Sequence, residues 1–217
     1  MSFSTEIKEE LCELQNASAC CKKAEALGML IFGRAFSLTE ISFMTELNCV
    51  AARYCSLIYD LVGVQPVISY SKAGNHKVRI DTAEERKKVL NFFGYTGKEL
   101  SLSINFGNFE NSDEEENCCY AAFVRGAFLI CGNITNPEKE YHLEFNISRI
   151  KLAAEFITVL KEINLNMKTL TRNSTQLIYC KESETIEDCL GKIGATKSFF
   201  FLMETRAIKQ VKNKINR

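Results

Sequence analysis

The pattern of apolar and polar positions occurs twice along this chain. CCKKAEALGMLIFGRAF, from Cys20, and CCYAAFVRGAFLICGNI, from Cys118, each join a cysteine pair to an apolar run that ends in a glycine, Gly33 or Gly132. A run apolar on nearly every side predicts a buried helix. An alternating segment follows each run, ISFMTEL or EYHLEFNI, and predicts a half-buried strand. Next come CVAARYCSLIYDLVG and RIKLAAEFITVLKEI, whose apolar residues recur at three- and four-residue steps, as in a helix with one face in the core.

Each half continues with a hairpin and a further helix. QPVISYS and HKVRID flank KAGN, while NMKTLTR and TQLIYCK flank Asn173-Ser174, and both spacers suit a tight turn. Thr82 is the expected cap of TAEERKKVLNFF, and Ser183 or Thr185 that of SETIEDCLGKIG. With a weakly marked first strand in each half, the chain reads as α+β, an αββαββα unit present twice. The expected divisions are an N-terminal helix over 1–18, a first repeat over 19–110, an acidic linker over 111–117, a second repeat over 118–194 and a C-terminal helix over 195–217.

Charge and cysteine usage narrow the function classes. Lysine plus arginine equals aspartate plus glutamate at 27 each, so the positive excess of a self-sufficient DNA binder is missing. No apolar run approaches the roughly 20 residues that span a bilayer, and the charged opening MSFSTEIKEELCEL is unlike a signal peptide. A cytoplasmic protein is expected. The ten cysteines then read as reduced thiols. Cys20-Cys21 and Cys118-Cys119 lack the two-residue spacer of structural zinc sites, and His76 and His142 lie far off in sequence. These thiols are expected to pack, with no metal and no cofactor.

In VRGAFLICGN, Gly126 and Gly132 fall six residues apart; in the first copy Leu27 takes the earlier glycine's place and Gly28 stands one position along. A duplicated unit opening with such helices resembles the LAGLIDADG homing-endonuclease fold. KEELCEL, the double cysteines, VRGAFLICGNITNPEKEYHLEF and the tail VKNKINR make essentially the whole chain similar to the amino-terminal part of the WhiA family, regulators of sporulation and cell division.

The resemblance implies a monomeric pseudo-two-fold saddle in which helices Lys22 to Phe32 and Ala121 to Cys131 pack side by side through Leu27, Gly28, Gly33, Gly126 and Gly132. The positions of the two nuclease carboxylates fall to Phe32 and Cys131, neither a ligand for magnesium, so no catalysis is expected. Glu25, about two turns earlier, cannot replace them. On the sheets, Ile41, Phe43, Leu143, Phe145 and Ile147 should face the core and Ser42, Met44, Glu46, His142, Glu144 and Asn146 outward. Lys72, Lys77, Arg79, Lys168 and Arg172 are candidate DNA contacts, beside acids that weaken them. By the resemblance, DNA is bound mainly by a helix-turn-helix domain beyond Arg217, reached through a basic helix with Arg206, Lys209, Lys212, Lys214 and Arg217. Two readings stand: a scaffold and interaction domain of a transcription regulator, with a protein partner on the saddle, or an autonomous nucleic-acid-binding saddle without nuclease activity.

Overall fold

The computed structural model describes residues 2–15, 18–70, 74–109 and 117–215. Lys72, Arg217 and the acidic run 111–116 lie outside the described residues. The first repeat runs α2 (Ala19–Ile31), β1 (Ala35–Phe36), β2 (Ile41–Thr45), α3 (Asn48–Val62), β3 (Val67–Tyr70), β4 (His76–Arg79), α4 (Ala83–Phe92). The second runs α5 (Cys118–Cys131), β5 (Gly132–Ile134), β6 (Leu143–Ile147), α6 (Ile150–Glu162), β7 (Lys168–Arg172), β8 (Thr175–Cys180), α7 (Ser183–Ile193). The αββαββα order therefore occurs twice. Helices α1 (Phe3–Glu13) and α8 (Thr196–Ile215) flank the repeats.

Each repeat contributes one antiparallel four-stranded sheet, ordered β1-β2-β4-β3 and β5-β6-β8-β7. The pleat sends Ile41, Phe43 and Val78 of one sheet, and Leu143, Phe145, Ile147 and Ile178 of the other, into the core. Ser42 departs from the expected exposure. It is only 3% exposed, and its hydroxyl donates to Glu40 Oε1 at 2.6 Å. Ser42 stands opposite Ala35 on one side and Arg79 on the other.

Caps and turns follow local chemistry. Thr82 Oγ1 accepts from Glu85 N at 3.2 Å and starts α4 as expected. At α7 the expectation fails, because Glu182 is the N-cap residue and makes no side-chain cap bond, while Ser183 is already helical. The entry is held by Cys180 Sγ, which accepts from Glu182 N at 3.3 Å. Asn173 takes the left-handed region at φ 54° in the two-residue turn between β7 and β8.

Two connections that periodicity does not announce tie distant segments together. After α4 the chain folds back, Tyr95 Oη donating to Ser103 O at 2.8 Å. Ile104 N then reaches Glu155 Oε2 in α6 at 2.6 Å. The Glu10 carboxylate of α1 accepts from Lys197 N at 2.6 Å and Ser198 N at 3.1 Å, so α1 supplies the acid at the positive start of α8. No helix among the described residues is long and apolar enough to cross a membrane.

Candidate functional site: the motif-helix pair and the outward sheet faces

Helices α2 and α5 cross at the centre of the molecule, backbone against backbone. An ideal Cβ at Gly28 would lie 2.4 Å from Phe123 O, and one at Gly126 would lie 2.2 Å from Glu25 O. Only hydrogen fits at either place. Each glycine thus faces the carbonyl three residues before the other. The offset from Gly28 to Gly126 equals that from Cys20 to Cys118, so Gly28, not the position of Leu27, is the structural counterpart of Gly126. The slip lies beyond the crossing: α2 stops at Ile31, whereas α5 runs to Cys131 directly before its closing Gly132. Gly33 and Gly132 serve the helix exits, where Gly132 would drive a Cβ to 2.3 Å from the Phe128 ring.

Beside the crossing lies a charge cluster that the amphipathic pattern does not signal. Glu25 is fully buried. Its carboxylate accepts from Arg53 Nε at 2.5 Å and Nη2 at 3.0 Å, and from Arg125 Nε at 2.9 Å. Arg53 Nη1 also donates to Leu14 O at 2.5 Å and Cys12 O at 3.2 Å, and Arg125 Nη1 to Ile193 O at 3.0 Å. One carboxylate thereby fixes α2, α3 and α5 together and closes the ends of α1 and α7. Removing one partner of such a group strands a buried charge.

The feet of the two helices hold the positions expected to carry nuclease acids. Phe32 packs edge-on against Phe156 at 5.0 Å and lies 5.8 Å from Phe123. Cys131 Sγ donates to Ala127 O at 3.3 Å, and burial pushes its thiol up to about 12. Cations occupy this end instead. Arg149, the residue preceding α6, donates from Nη1 to Ile31 O at 2.8 Å and Gly33 O at 3.3 Å, and from Nη2 to Arg34 O at 3.2 Å. It caps the negative end of α2, and burial lowers its pKa. Lys8 of α1 lies 5.8 Å from the Phe128 ring centre and also senses Cys131. Burial lowers its pKa, with the nearby thiols and Glu46 opposing. An open pocket of about 350 Å³ beside it is lined by Lys8, Asn75, Asn133 and a single carboxylate, Glu46. It offers no pair of carboxylates to hold magnesium.

On the outward face of the first sheet, Ser42, Arg79 and Val67 form one cross-strand row and Met44, Lys77 and Ser69 the next. On the second, Glu144 sits between Tyr179 and Asn133, and Lys168 lies beyond Tyr179. His142 Nε2 lies 2.8 Å from Glu144 Oε2, and its ring stacks on Tyr179. Three candidate bases already face carboxylates: Lys77 with Glu40 at 3.7 Å, Lys168 with Glu182 at 3.3 Å, and Arg79 with Asp81. Arg172 is exposed at the β7–β8 hairpin. Apolar groups share these faces, with Met44 42%, Val67 41% and Leu170 51% exposed.

At the opposite end of the helix pair from Phe32 and Cys131, the first turns of α2 and α5 meet. The sulfurs of Cys20, Cys21, Cys118 and Cys119 all lie within 4.8 Å of one another. Reading these as separate packing thiols is therefore incomplete, because the spacing missing along the sequence is supplied by the fold.

Comparison with known proteins decides the family. Residues 120–212 match the family described as WhiA LAGLIDADG-like domain. The probable cell division protein WhiA of Ruminiclostridium cellulolyticum is 33% identical over 227 residues, covering 100% of this chain and 71% of that protein. The chain belongs to the WhiA family. Among solved structures, full-length DUF199/WhiA from Thermatoga maritima superposes with a TM-score of 0.77 at 23% identity, over 100% of this chain and 71% of the other. I-DmoI, a homing endonuclease solved with DNA and manganese, superposes with a TM-score of 0.56 at 12% identity, over 82% of this chain and 98% of its own, and shares the fold alone.

Within this WhiA-family chain, sequence reasoning located both motif helices and their glycines but missed the Glu25, Arg53 and Arg125 cluster beside the crossing and the cations Arg149 and Lys8 at the foot. A lone acid in EALGMLI and a lone arginine in FVRGAF were the available signals, since an ion on a helix otherwise apolar all round must find a counter-charge.

Proposed function

We propose that this chain is the non-catalytic scaffold and interaction part of a WhiA-type, DNA-binding transcription regulator that acts in sporulation or cell division. The foot of the motif helices carries the reading. Phe32 in an aromatic cluster and Cys131 at a helix end stand where a LAGLIDADG nuclease needs two carboxylates, and Arg149 and Lys8 supply positive charge instead. A divalent cation would meet repulsion there and lack the paired carboxylates that such a centre needs.

The outward sheet faces support a protein-facing role over tight DNA binding. Lys77, Arg79 and Lys168 have carboxylate neighbours, and acids beside the bases reduce the counterion release that drives phosphate binding. Met44, Val67 and Leu170 add apolar contact area for a protein partner. In this reading the repeats over 19–110 and 118–194 act as one monomeric saddle. DNA is read mainly by a helix-turn-helix segment outside these residues, in the additional length of the relatives, of which the chain covers 71% in the Ruminiclostridium cellulolyticum protein. The place of action is the cytoplasm, at the nucleoid.

Titrating labelled promoter-derived and scrambled duplexes with this chain, at about 50 mM and about 200 mM salt, tests the reading. Binding should be weak, steeply salt-dependent and indifferent to sequence, and supercoiled plasmid should remain uncut with magnesium or manganese. Tight, selective, salt-tolerant binding would favour an autonomous nucleic-acid-binding saddle, the fold shared with I-DmoI. Nicking that vanishes when a carboxylate of this chain is mutated would end the non-catalytic reading.

A further inference from the structure

Cys20 and Cys21 open α2, and Cys118 and Cys119 open α5. The axis that relates the two helices sets these pairs face to face, so a four-thiol set forms from adjacent cysteines that lack any zinc-type spacing along the sequence. Their sulfurs all lie within 4.8 Å of one another. A tetrahedral zinc–thiolate centre, with Zn–S near 2.3 Å, has sulfur–sulfur edges of about 3.8 Å. The longest separations here need to close by only about 1 Å, within the reach of small side-chain rotations. Iron–sulfur clusters spread their cysteines over several iron atoms and need a wider cage.

The surroundings suit such an ion. Cys20 and Cys119 are buried and Cys21 and Cys118 half-buried, so the set has a closed inner side and an entry path from solvent. Both pairs stand at helix N-termini, whose positive ends favour thiolates and offset the net double negative charge of a zinc tetrathiolate. Ser18 Oγ, which caps α2, accepts from Cys21 N at 3.3 Å and lies 3.2 Å from Cys20 Sγ, placed to turn its hydroxyl toward that sulfur once the thiol is deprotonated.

We propose that Cys20, Cys21, Cys118 and Cys119 form a mononuclear tetrathiolate metal site, taking zinc or a divalent ion of similar softness, that ties the start of one motif helix to the start of the other. On loading, the metal displaces the thiol protons to solvent, and nothing is oxidised or reduced. Binding therefore strengthens as pH rises.

The full chain, purified anaerobically under reducing conditions, should carry about one zinc per molecule by elemental analysis. Titrated with cobalt(II), it should show thiolate-to-metal charge-transfer bands and the intense visible bands of a tetrahedral site. Cys21→Ser and Cys118→Ser should each weaken binding by more than the roughly 10–100-fold of an outer-shell change. The paired change Cys12→Ser with Cys49→Ser, at another site where two thiols meet, should leave binding unaltered. Because a serine variant can misfold, alkylation of the unmodified protein followed by mass spectrometry gives a second readout: zinc should protect these four cysteines selectively among the ten. An octahedral cobalt spectrum, equal zinc binding by the Cys21→Ser and Cys118→Ser proteins, no zinc uptake, a disulfide within the set under reducing conditions, or protection spread over all ten thiols would each overturn the proposal.

Discussion

Gly126→Ala puts a methyl group where two helix backbones meet. Its Cβ would lie 2.2 Å from Glu25 O, 3.0 Å from Glu25 C and 3.1 Å from Met29 N, whereas ordinary contact begins at 3.4 Å. The obstructing atoms are backbone of a buried helix and cannot swing aside, so α2 and α5 must separate by about 1 Å at the crossing. Overpacking of this kind costs about 1–3 kcal/mol, and separation also weakens contacts along the rest of the helix pair. Alanine regains about 1 kcal/mol of helix propensity. The net expectation is a loss of about 1–3 kcal/mol. For a chain of this size about 2–4 °C of Tm accompanies each kcal/mol, so Tm should fall by several degrees. Gly191→Ala is the matched control: it lies inside α7, and the nearest atom its Cβ would meet is Phe199 Cδ2 at 3.7 Å. It should stabilise by about 0.5–1 kcal/mol. Urea unfolding followed by circular dichroism measures both. If Gly126→Ala matches or exceeds the wild type in stability with an unchanged urea slope, the close crossing is wrong.

Other outcomes follow from the buried ions. Glu25→Gln leaves Arg53 and Arg125 sharing a neutral amide, and unfolding should become easier by about 3–5 kcal/mol; a loss below about 1 kcal/mol would mean that the cluster is not desolvated as its burial indicates. Lys8 has a folded pKa below its ordinary value, so the unfolded chain binds more protons between the two values and its contribution to stability rises with pH across that interval. Lys8→Met should therefore be more stable than wild type at about pH 7, by a margin that narrows toward about pH 10; paired urea midpoints at the two pH values check this, and a margin that widens contradicts it.

The fold was legible because the duplication supplied two readings of each element. RGAFLICG shows the glycines of a helix crossing plainly, and ALGMLIFG could be placed only by analogy to it. That analogy, anchored on the last glycine, put the slip at Leu27. Backbone contacts put it at the helix exit, because the crossing tolerates no side chain at Gly28, while the exit can absorb one residue in a turn. The candidate site was less legible for a different reason. Cys20 and Cys118 become neighbours only through the axis, and a linear search for ligand spacing cannot see a set assembled from two repeats. Arg149 reads as an ordinary polar residue ahead of an amphipathic helix, since its work is to close the end of α2, more than 100 residues earlier.

Symmetry and chemistry part company along the helix pair. At the cysteine end, both repeats place the same residue type at equivalent positions, so a ligand set about the axis is built from two copies of one solution. At the foot the copies have diverged. Arg149 precedes α6 and closes α2, but the corresponding residue before α3 is Leu47, which has no cation to offer α5. Lys8, from a helix outside both repeats, stands near Cys131 instead. A two-carboxylate nuclease centre requires equivalence at this end, because each acid must face one of two phosphates across the axis. Here the guanidinium of Arg149 is already engaged by the carbonyls of Ile31, Gly33 and Arg34. A phosphate could draw it away only by uncapping α2, so acids introduced at Phe32 and Cys131 alone would stand against cations committed to holding the fold.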